Sequence, residues 1–530
     1  MELDIVSAET LLEPPYDGNV ARLLERAVAE HPDTIAVEHA GETVTYRDLG
    51  DRVARFATAL RELGLEAGDR VGVYMPNGIP FCTVVWACCH AGVIASPLNP
   101  EYRRREIEYQ LEHADAEAVV IDGAADDYVR EAVADLETEI VSATAGSDGD
   151  HPSLPGLAGD ATDAEAEIVD REDEDVLLQP YTSGTTGKPK GVLLTHRNFR
   201  VQIAQSVSSY SAGPIEGDGI IVLPMYHITG MIGMMASLCA GRTLHLLRPD
   251  QWDPERVLAK LDEHDIPAFT GVAAMFVDLL EAHDPDEYDL STLVRAGQGG
   301  DKLPKPIQEG FEEAFDVPLT EGYGLTETTA TSHTIRWSSL GNRPGSVGQP
   351  VGHTRSKVVD EDGNEVDPGE EGEILIAGSQ VMKGYYKNPE ANEEVFTEDG
   401  YFRTGDIGTR DEDNYYYIKG REKEMILTAG YNVYPREIED LLYEHPEIHE
   451  AAVFGVPDER RGETVAAAVA PAEGTDLTAA DVEAYVLDEL APYKHPRIVE
   501  IRRDLPKTGS GKIRKTALRD EFCEEHGIEP

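Results

Sequence analysis

At 530 residues the chain is too long for one ordinary core, so at least two domains are expected, and a hydrophobic content of 41% is enough to fold them. Asp and Glu total 101 against 46 Lys and Arg, a formal charge of -55 that opposes general binding to nucleic acid or anionic membrane. The acids run from Glu2 to Glu529 through periodic, foldable sequence, so the surface as a whole is acidic.

The start, Met1-Glu2-Leu3-Asp4, lacks the positive stretch and apolar core of a secretory signal. From residue 19 to about 140, helical segments at 20–30, 46–63 and 104–112 alternate with apolar runs at 70–74 and 118–121. That α/β order predicts a twisted, largely parallel sheet. Cys82, Cys88, Cys89, Cys239 and Cys523 show no C-x-x-C pairing with histidines and read as small buried apolar residues in a reducing, cytoplasmic setting. Residues 142–165, rich in Gly, Ser, Ala and Asp, read as a surface loop.

After the apolar run 176–178 comes Thr182-Ser183-Gly184-Thr185-Thr186-Gly187-Lys188-Pro189-Lys190-Gly191. Glycines let backbone approach phosphate oxygens, hydroxyls donate to them, and lysines add charge. No lysine precedes Lys188, so the first two in the chain arrive together in this loop. The ATPase loop pattern fails, because Pro189 follows Lys188 and Thr182 stands five positions before Gly187. Residues 191–195 look like a short strand, which predicts a strand, loop, strand hairpin over a triphosphate.

The apolar stretch 220–247 is interrupted by Pro224, Tyr226, His227, Thr229, Ser237, Arg242 and His245, a poor membrane span and a better buried helix entered through a loop. Gly230, Gly233 and Gly241 suggest close packing or a cavity wall. A second α/β region ends near 336. Beyond 341, closely spaced strands at 356–359, 372–376 and 384–386 suggest a small barrel-like or sandwich unit. Near 420 the pattern changes again, and 434–443, 476–490 and 499–501 predict a small α+β domain with a basic end.

Three later segments carry chemistry. In Glu321-Gly322-Tyr323-Gly324-Leu325-Thr326-Glu327, Tyr323 can stack on a base, Thr326 can donate to a phosphate and Glu327 can hold Mg²⁺. Asp406, closing Tyr401-Phe402-Arg403-Thr404-Gly405-Asp406, suits a ribose diol, and residues 506–514 form a second Gly/Ser loop containing Lys512. Alone, the first two read more readily as a plain loop and a turn aspartate than as sites, and the third reads also as a solvated basic tail.

In this order, with Gly420-Arg421-Glu422-Lys423 between the last two, they make the chain resemble the adenylate-forming superfamily of acyl-CoA synthetases, luciferases and peptide-synthetase adenylation domains, over about residues 19–518. The expected architecture is α/β: a large N-terminal domain, 1–420, of two packed α/β sheets plus a small β-barrel-like subdomain at about 341–420, and a small mobile α+β domain, 421–530. The resemblance implies that Thr182 to Lys190 close over the β- and γ-phosphates and that Tyr323 and Gly324 hold adenine beside Gly299, Gly300 and Asp301. It further implies that Thr326 touches the α-phosphate, Glu327 binds Mg²⁺, and Asp406 with Arg421 holds the ribose. Lys512 would be the catalytic lysine on a domain pivoting at Lys423, with Gly430 and Tyr431 replacing it to line the coenzyme A channel. His227, with Thr229 and Gly230, would stand between the acyl pocket and that channel.

Two departures stand out: Gly299-Gly300-Asp301-Lys302 where relatives often have Gly-Gly-Ala-Pro, and Leu427 where some carry a lysine. The implied activity is an ATP-dependent acid–thiol ligase making acyl-AMP, then acyl-CoA. A medium- or long-chain fatty acid is favoured because Met225, Ile228, Met231, Ile232, Met234 and Met235 would make a flexible apolar wall, although core packing fits each equally well. Alternatives are an aryl or short-chain acid ligase, a free-standing amino-acid adenylating enzyme, a luciferase-like oxygenase or a non-catalytic nucleotide sensor. A homodimer stays open.

Self-repulsion on this scale destabilises a compact state unless molar salt shortens the screening length to about 3 Å, which points to a cytosolic enzyme of a salt-accumulating extreme halophile. Melting temperature and activity are therefore expected to rise together from low to several-molar KCl. Full stability at low salt would contradict this.

Overall fold

The computed structural model describes residues 18–123, 127–144, 151–158, 167–182, 188–209, 217–300, 303–335, 343, 345–428, 431–458, 460–472, 474–507 and 512–526. The Ser183–Gly187 part of the phosphate loop, Asp301, Lys302, Gly430 and the 508–511 loop lie outside them.

The largest sheet has eight strands. Its parallel centre runs Val176–Leu178, Ile94–Leu98, Arg70–Tyr74, Ala116–Ile121 and Glu139–Ser142, and Lys190–Thr195 joins it antiparallel. Parallel strands need both faces covered, which is why they read as near-continuous Val, Ile and Ala. The Ile79–Ala91 helix is apolar on every side and buried over nearly its whole length, while Tyr46–Glu62 buries only Tyr46, Leu49, Val53, Phe56, Ala57, Ala59 and Leu60. That second helix starts at Thr45, whose hydroxyl accepts from the Asp48 amide at 3.1 Å. All five cysteines are unpaired and buried, and burial pushes Cys82, Cys88 and Cys239 up to about 12, as expected of inert thiols.

Two expectations are corrected. Residues 384–386 do not join the β-rich unit: Gly384–Tyr385 pairs with Lys190–Thr195, because the Lys383 and Tyr386 amides donate to Leu193 and Gly191 and complete that edge of the large sheet. The 142–165 segment is not all loop either. Leu154–Ala158 is helical, and it buries Leu154 and Ala158 in the main core.

A second sheet places Gly219–Ile221 and Leu244–Leu246 beside Ile35–His39 and Glu42–Thr45. Within it, His245 lies between Glu38 (2.6 Å from Nδ1) and Asp218 (2.9 Å from Nε2), and Lys260 reaches Glu38 at 2.6 Å. Burial pushes Glu38 up, but its bonds from Lys260 and His245 prevail and bring it to about 2. The third sheet runs Ala268–Gly271, Arg295–Gly299, Leu319–Tyr323, His333–Thr334 and Gln349–Pro350, the first three parallel. Its parallel strands end at Gly299 and Tyr323, and the carboxyl ends of such strands are where α/β folds form crevices. A four-stranded antiparallel sheet follows: Arg355–Val359, Gly372–Ala377, Phe402–Arg410 and Tyr416–Arg421.

The C-terminal domain has its own five-stranded sheet, in which Gly462–Pro471 and Ile448–Asp458 carry apolar residues on both faces. One face packs Ile438 and Leu442 of Pro435–Tyr443 and Val482 and Val486 of Ala479–Glu489; the other packs Leu518 and Phe522 of Lys515–His526. Both clusters draw only on residues from Ile426 onward. No helix among the described residues is long and apolar enough to cross a membrane.

Burial holds His196 and His333 down to about 3, and the Nδ1 of His196 accepts the Val20 amide at 3.2 Å, which requires an unprotonated nitrogen there. The unfolded chain takes up these protons near pH 6.5, the folded chain only near 3, so the unfolded state binds more protons in between. Stability should fall as pH drops from about 6.5 towards 3. Melting curves at fixed KCl from pH 7 to 4 test this. His196→Asn, which keeps an acceptor for Val20, should flatten the fall; an unchanged slope would contradict the assignment.

Candidate active site

The cleft is built around Asp406, which is buried on the Phe402–Arg410 strand. Antiparallel pairing sets Asp406 opposite Arg421, and Arg421 Nε lies 3.2 Å from its Oδ1. From the neighbouring sheet, the Tyr323 hydroxyl donates to Asp406 Oδ2 at 2.6 Å. Burial pushes the Asp406 carboxyl up, partly offset by Arg421 and Tyr323, and burial with the Asp406 charge pushes the Tyr323 phenol up. Tyr323 therefore keeps its proton to donate. Asp406, Arg421 and the Tyr323 ring present an acceptor, a cation and an aromatic surface at one place.

Beyond Tyr323 the chain turns sharply. A Cβ on Gly324 would come within 1.6 Å of the Ala330 carbonyl oxygen, so only glycine fits. Thr326–Thr328 is a 3₁₀ turn, and Thr329 and Ala330 after it hold φ of +52° and +80°, strained values for residues with side chains. Thr329 Oγ1 donates to the Gln380 carbonyl at 2.7 Å, and the Met382 amide donates to the Glu327 carbonyl at 2.8 Å, which pins the turn to the segment before Gly384. Glu327 is buried, and Tyr385 donates to its Oε1 at 2.8 Å.

The strands on either side of residues 183–187 pair as the sequence predicts, with Thr182 opposite Lys190 and Tyr181 opposite Gly191. Lys190 Nζ sits 4.7 Å from the centre of the Tyr385 ring, and Lys188 Nζ 5.2 Å from that of Tyr109, whose hydroxyl donates to the Pro189 carbonyl at 2.7 Å. Both lysines thus rest on aromatic faces, and Lys190, Tyr385 and Glu327 form one chain of contacts.

His227 is open to solvent yet ringed by protein. Burial, with the charge of Lys512 added, pushes its imidazole down to about 4, so it is neutral near pH 7. Asn77 holds the loop before it, accepting from the Met225 amide at 2.8 Å and donating to the Leu223 and Leu247 carbonyls. Gly230 packs against that loop, since a Cβ there would meet the Pro224 oxygen at 2.3 Å. Met225, Met231, Met234 and Met235 are fully enclosed in the main core, so of the two roles open to them the packing role is realised. Lys512 approaches from the C-terminal domain, and a Cβ on Gly300 would lie 3.5 Å from its Cε and 3.9 Å from its Nζ. The charges of Glu327 and Arg421 also act on one another.

Lys423 is exposed in the Glu422–Glu424 turn, the crossing between the last strand of the four-stranded sheet and the first of the C-terminal sheet. Tyr431 is outside the cleft: it is exposed and stacks on Tyr493 at 4.4 Å, and Leu427 beside it is exposed as well.

The AMP-binding enzyme family profile matches residues 24–386, and that of the AMP-binding enzyme C-terminal domain matches 437–512. The chain belongs to the AMP-binding enzyme family. It is 33% identical to a long-chain-fatty-acid–CoA ligase of Bacillus subtilis (97% of this chain, 96% of the relative) and 34% identical to an oxalate–CoA ligase of Arabidopsis thaliana (95% and 98%). The crystal structure of ATP-bound MatB from Rhodopseudomonas palustris superposes with a TM-score of 0.85 at 30% identity, covering 96% of this chain and 99% of that one. This AMP-binding enzyme is an ATP-dependent, AMP-forming acid–thiol ligase, and ATP and coenzyme A are substrates of its family.

Three supports of this AMP-binding enzyme's cleft escape sequence reading. Asn77 lies 146 residues from Leu223, Tyr385 is 58 from Glu327, and Arg436, on the C-terminal domain, is 115 from its partner Glu321. Tyr385 had a signal, since it stands in the run Gly384-Tyr385-Tyr386-Lys387-Asn388-Pro389, but nothing local names its partner.

Proposed function

We propose that the acid is a medium- or long-chain fatty acid, joined to coenzyme A through acyl-AMP. The carrying observation is the helix after His227: Ile228–Cys239 has no charged side chain, so it offers nothing to pair the second carboxylate of a dianion such as oxalate. An uncharged alkyl chain carries no second carboxylate and asks for no such partner.

In this reading the domains are 1–420 and 421–530. The ATP lies with adenine on Tyr323 beside Gly299, Gly300 and Asp301, its ribose hydroxyls on Asp406 and Arg421, and its outer phosphates under Thr182 to Lys190. Glu327 fits a hard cation, since Tyr385 binds its Oε1 and carboxylate oxygens are what Mg²⁺ takes. Bound there, Mg²⁺ would neutralise phosphate charge. Thr326 donates to the α-phosphate, and Lys512 stabilises the charge that builds as the carboxylate oxygen bonds to phosphorus and pyrophosphate leaves. Neutral His227, with Thr229 and Gly230 near it, faces the acid without adding charge. A swing about Lys423 then withdraws Lys512 and brings Gly430 and Tyr431 to the thiol path, which gives the exposed Tyr431 a purpose.

The test is acid-dependent pyrophosphate release in high KCl over a panel of acids, with and without coenzyme A. Along the straight-chain series kcat/KM should climb by about fourfold per methylene until the pocket is filled, as ~0.8 kcal/mol per buried CH₂ requires. A preference for oxalate or an aryl acid would overturn the substrate, and no release with any acid would overturn the reaction. Lys512→Ala should slow adenylate formation by about 100- to 1,000-fold. It should spare thioester formation from supplied acyl-AMP; equal loss of both would refute the lysine's role.

A further inference from the structure

Arg436 leaves its own domain. It sits in the first turn of the Pro435–Tyr443 helix, whose neighbouring acids are paired inside the C-terminal domain: Glu437 with Lys494 and Glu439 with Lys515. Ile438 and Leu442 of the same helix fill that domain's core. Arg436 instead donates from Nη2 to Glu321 Oε1 at 3.0 Å, on the Leu319–Tyr323 strand of the N-terminal domain. Glu321 is a buried carboxylate, and Arg436 is mostly covered, with its Nε buried and unpartnered among the described residues. Two residues after Glu321 on the same strand comes Tyr323, which holds Asp406, and Arg436 is close enough to act on the Asp406 charge as well.

We infer that Arg436 is a positioning residue: its ion pair with Glu321 fastens the C-terminal domain in the orientation that brings Lys512 to Gly300, and it must break before the second half-reaction. In molar salt, the condition of the experiment below, the screening length is about 3 Å, so long-range attraction does not set the orientation there and a dry, short-range pair can. Such a pair is worth little when both partners are solvated, but removing one partner strands the other's buried charge. Glu321 therefore favours the docked domain only while Arg436 is there to meet it. The surface loses that preference once the guanidinium is gone, and the two orientations become closer in population.

This rests on the two-step reading above. The experiment measures, on the full chain in high KCl, acid-dependent pyrophosphate exchange, thioester formation from supplied acyl-AMP, and tryptic cleavage after Lys423, the last needing no activity. Arg436→Met should lose roughly 10- to 100-fold in exchange, the usual range for coupling between sites, keep its thioester rate, and be cut faster at Lys423. Arg436→Lys should recover part of the exchange. Glu321→Gln combined with Arg436→Met should be no worse than the more impaired single variant, because both remove one interaction. Equal losses in both half-reactions, or unchanged exchange and cleavage, would overturn the role. Should Arg436→Met fail to fold, Arg436→Lys and Glu321→Gln carry the same comparison. If wild type shows no exchange with any acid, the two-step reading fails instead, while the cleavage comparison still decides the latch.

Discussion

Everything in the cleft is arranged around one buried carboxylate. Asp406 has lost most of its water, and a bare carboxylate there would be costly, so Arg421 and the Tyr323 hydroxyl are not optional neighbours. Satisfying it ties together the end of a parallel-paired strand in the third sheet, two strands of the antiparallel sheet, and the start of the crossing to the C-terminal domain. The Gly324 turn must then follow directly from Tyr323, and it delivers Thr326 and Glu327 to the same side. The strained φ values at Thr329 and Ala330 persist because the surrounding hydrogen bonds, from Thr329 to Gln380 and from Met382 to Glu327, leave the turn no other path.

The contrast between the two lysine loops follows from where each is anchored. Lys188 and Lys190 belong to a hairpin in the largest sheet and lie over Tyr109 and Tyr385, so their charge is fixed relative to the cleft. Lys512 belongs to a domain whose cores exclude every residue before Ile426 and whose chain joins the rest through the turn at Lys423. A lysine on such a domain can be present for one reaction and absent for the next. Its charge reaches His227, which ties that side of the cleft to the C-terminal domain.

Local pattern carried much of this. The helices expected at 20–30, 46–63 and 104–112 and the strands expected at 70–74 and 118–121 form within a few residues of those bounds, while Ile35–His39, Ile79–Ala91 and Ile94–Leu98 lie outside those expectations, and the hairpin around 182–191 follows from Gly, Thr and Lys placed between two short apolar runs. Family motifs suggested candidate site residues because each motif is contiguous in sequence. What stayed hidden is what depends on distant partners. Gly384–Tyr385 has strand propensity but no sign of which sheet it joins, and Leu154–Ala158 is too short to show a period. The methionines after His227 look the same whether they line a pocket or fill a core, and only burial separates the two. Asn77, Tyr385 and Arg436 are single polar residues whose meaning lies wholly in contacts made across the fold.

The central claim is that one cleft serves two reactions by exchanging what the C-terminal domain presents to it. Because all five native cysteines are buried, spin labels can be placed on Tyr128→Cys and Leu487→Cys, exposed positions on the two domains. Pulsed dipolar measurements in high KCl should give one dominant interdomain distance with ATP and a non-reacting acid, and a second, distinct distance with acyl-AMP and coenzyme A. A single unchanged distance in both conditions would contradict the account.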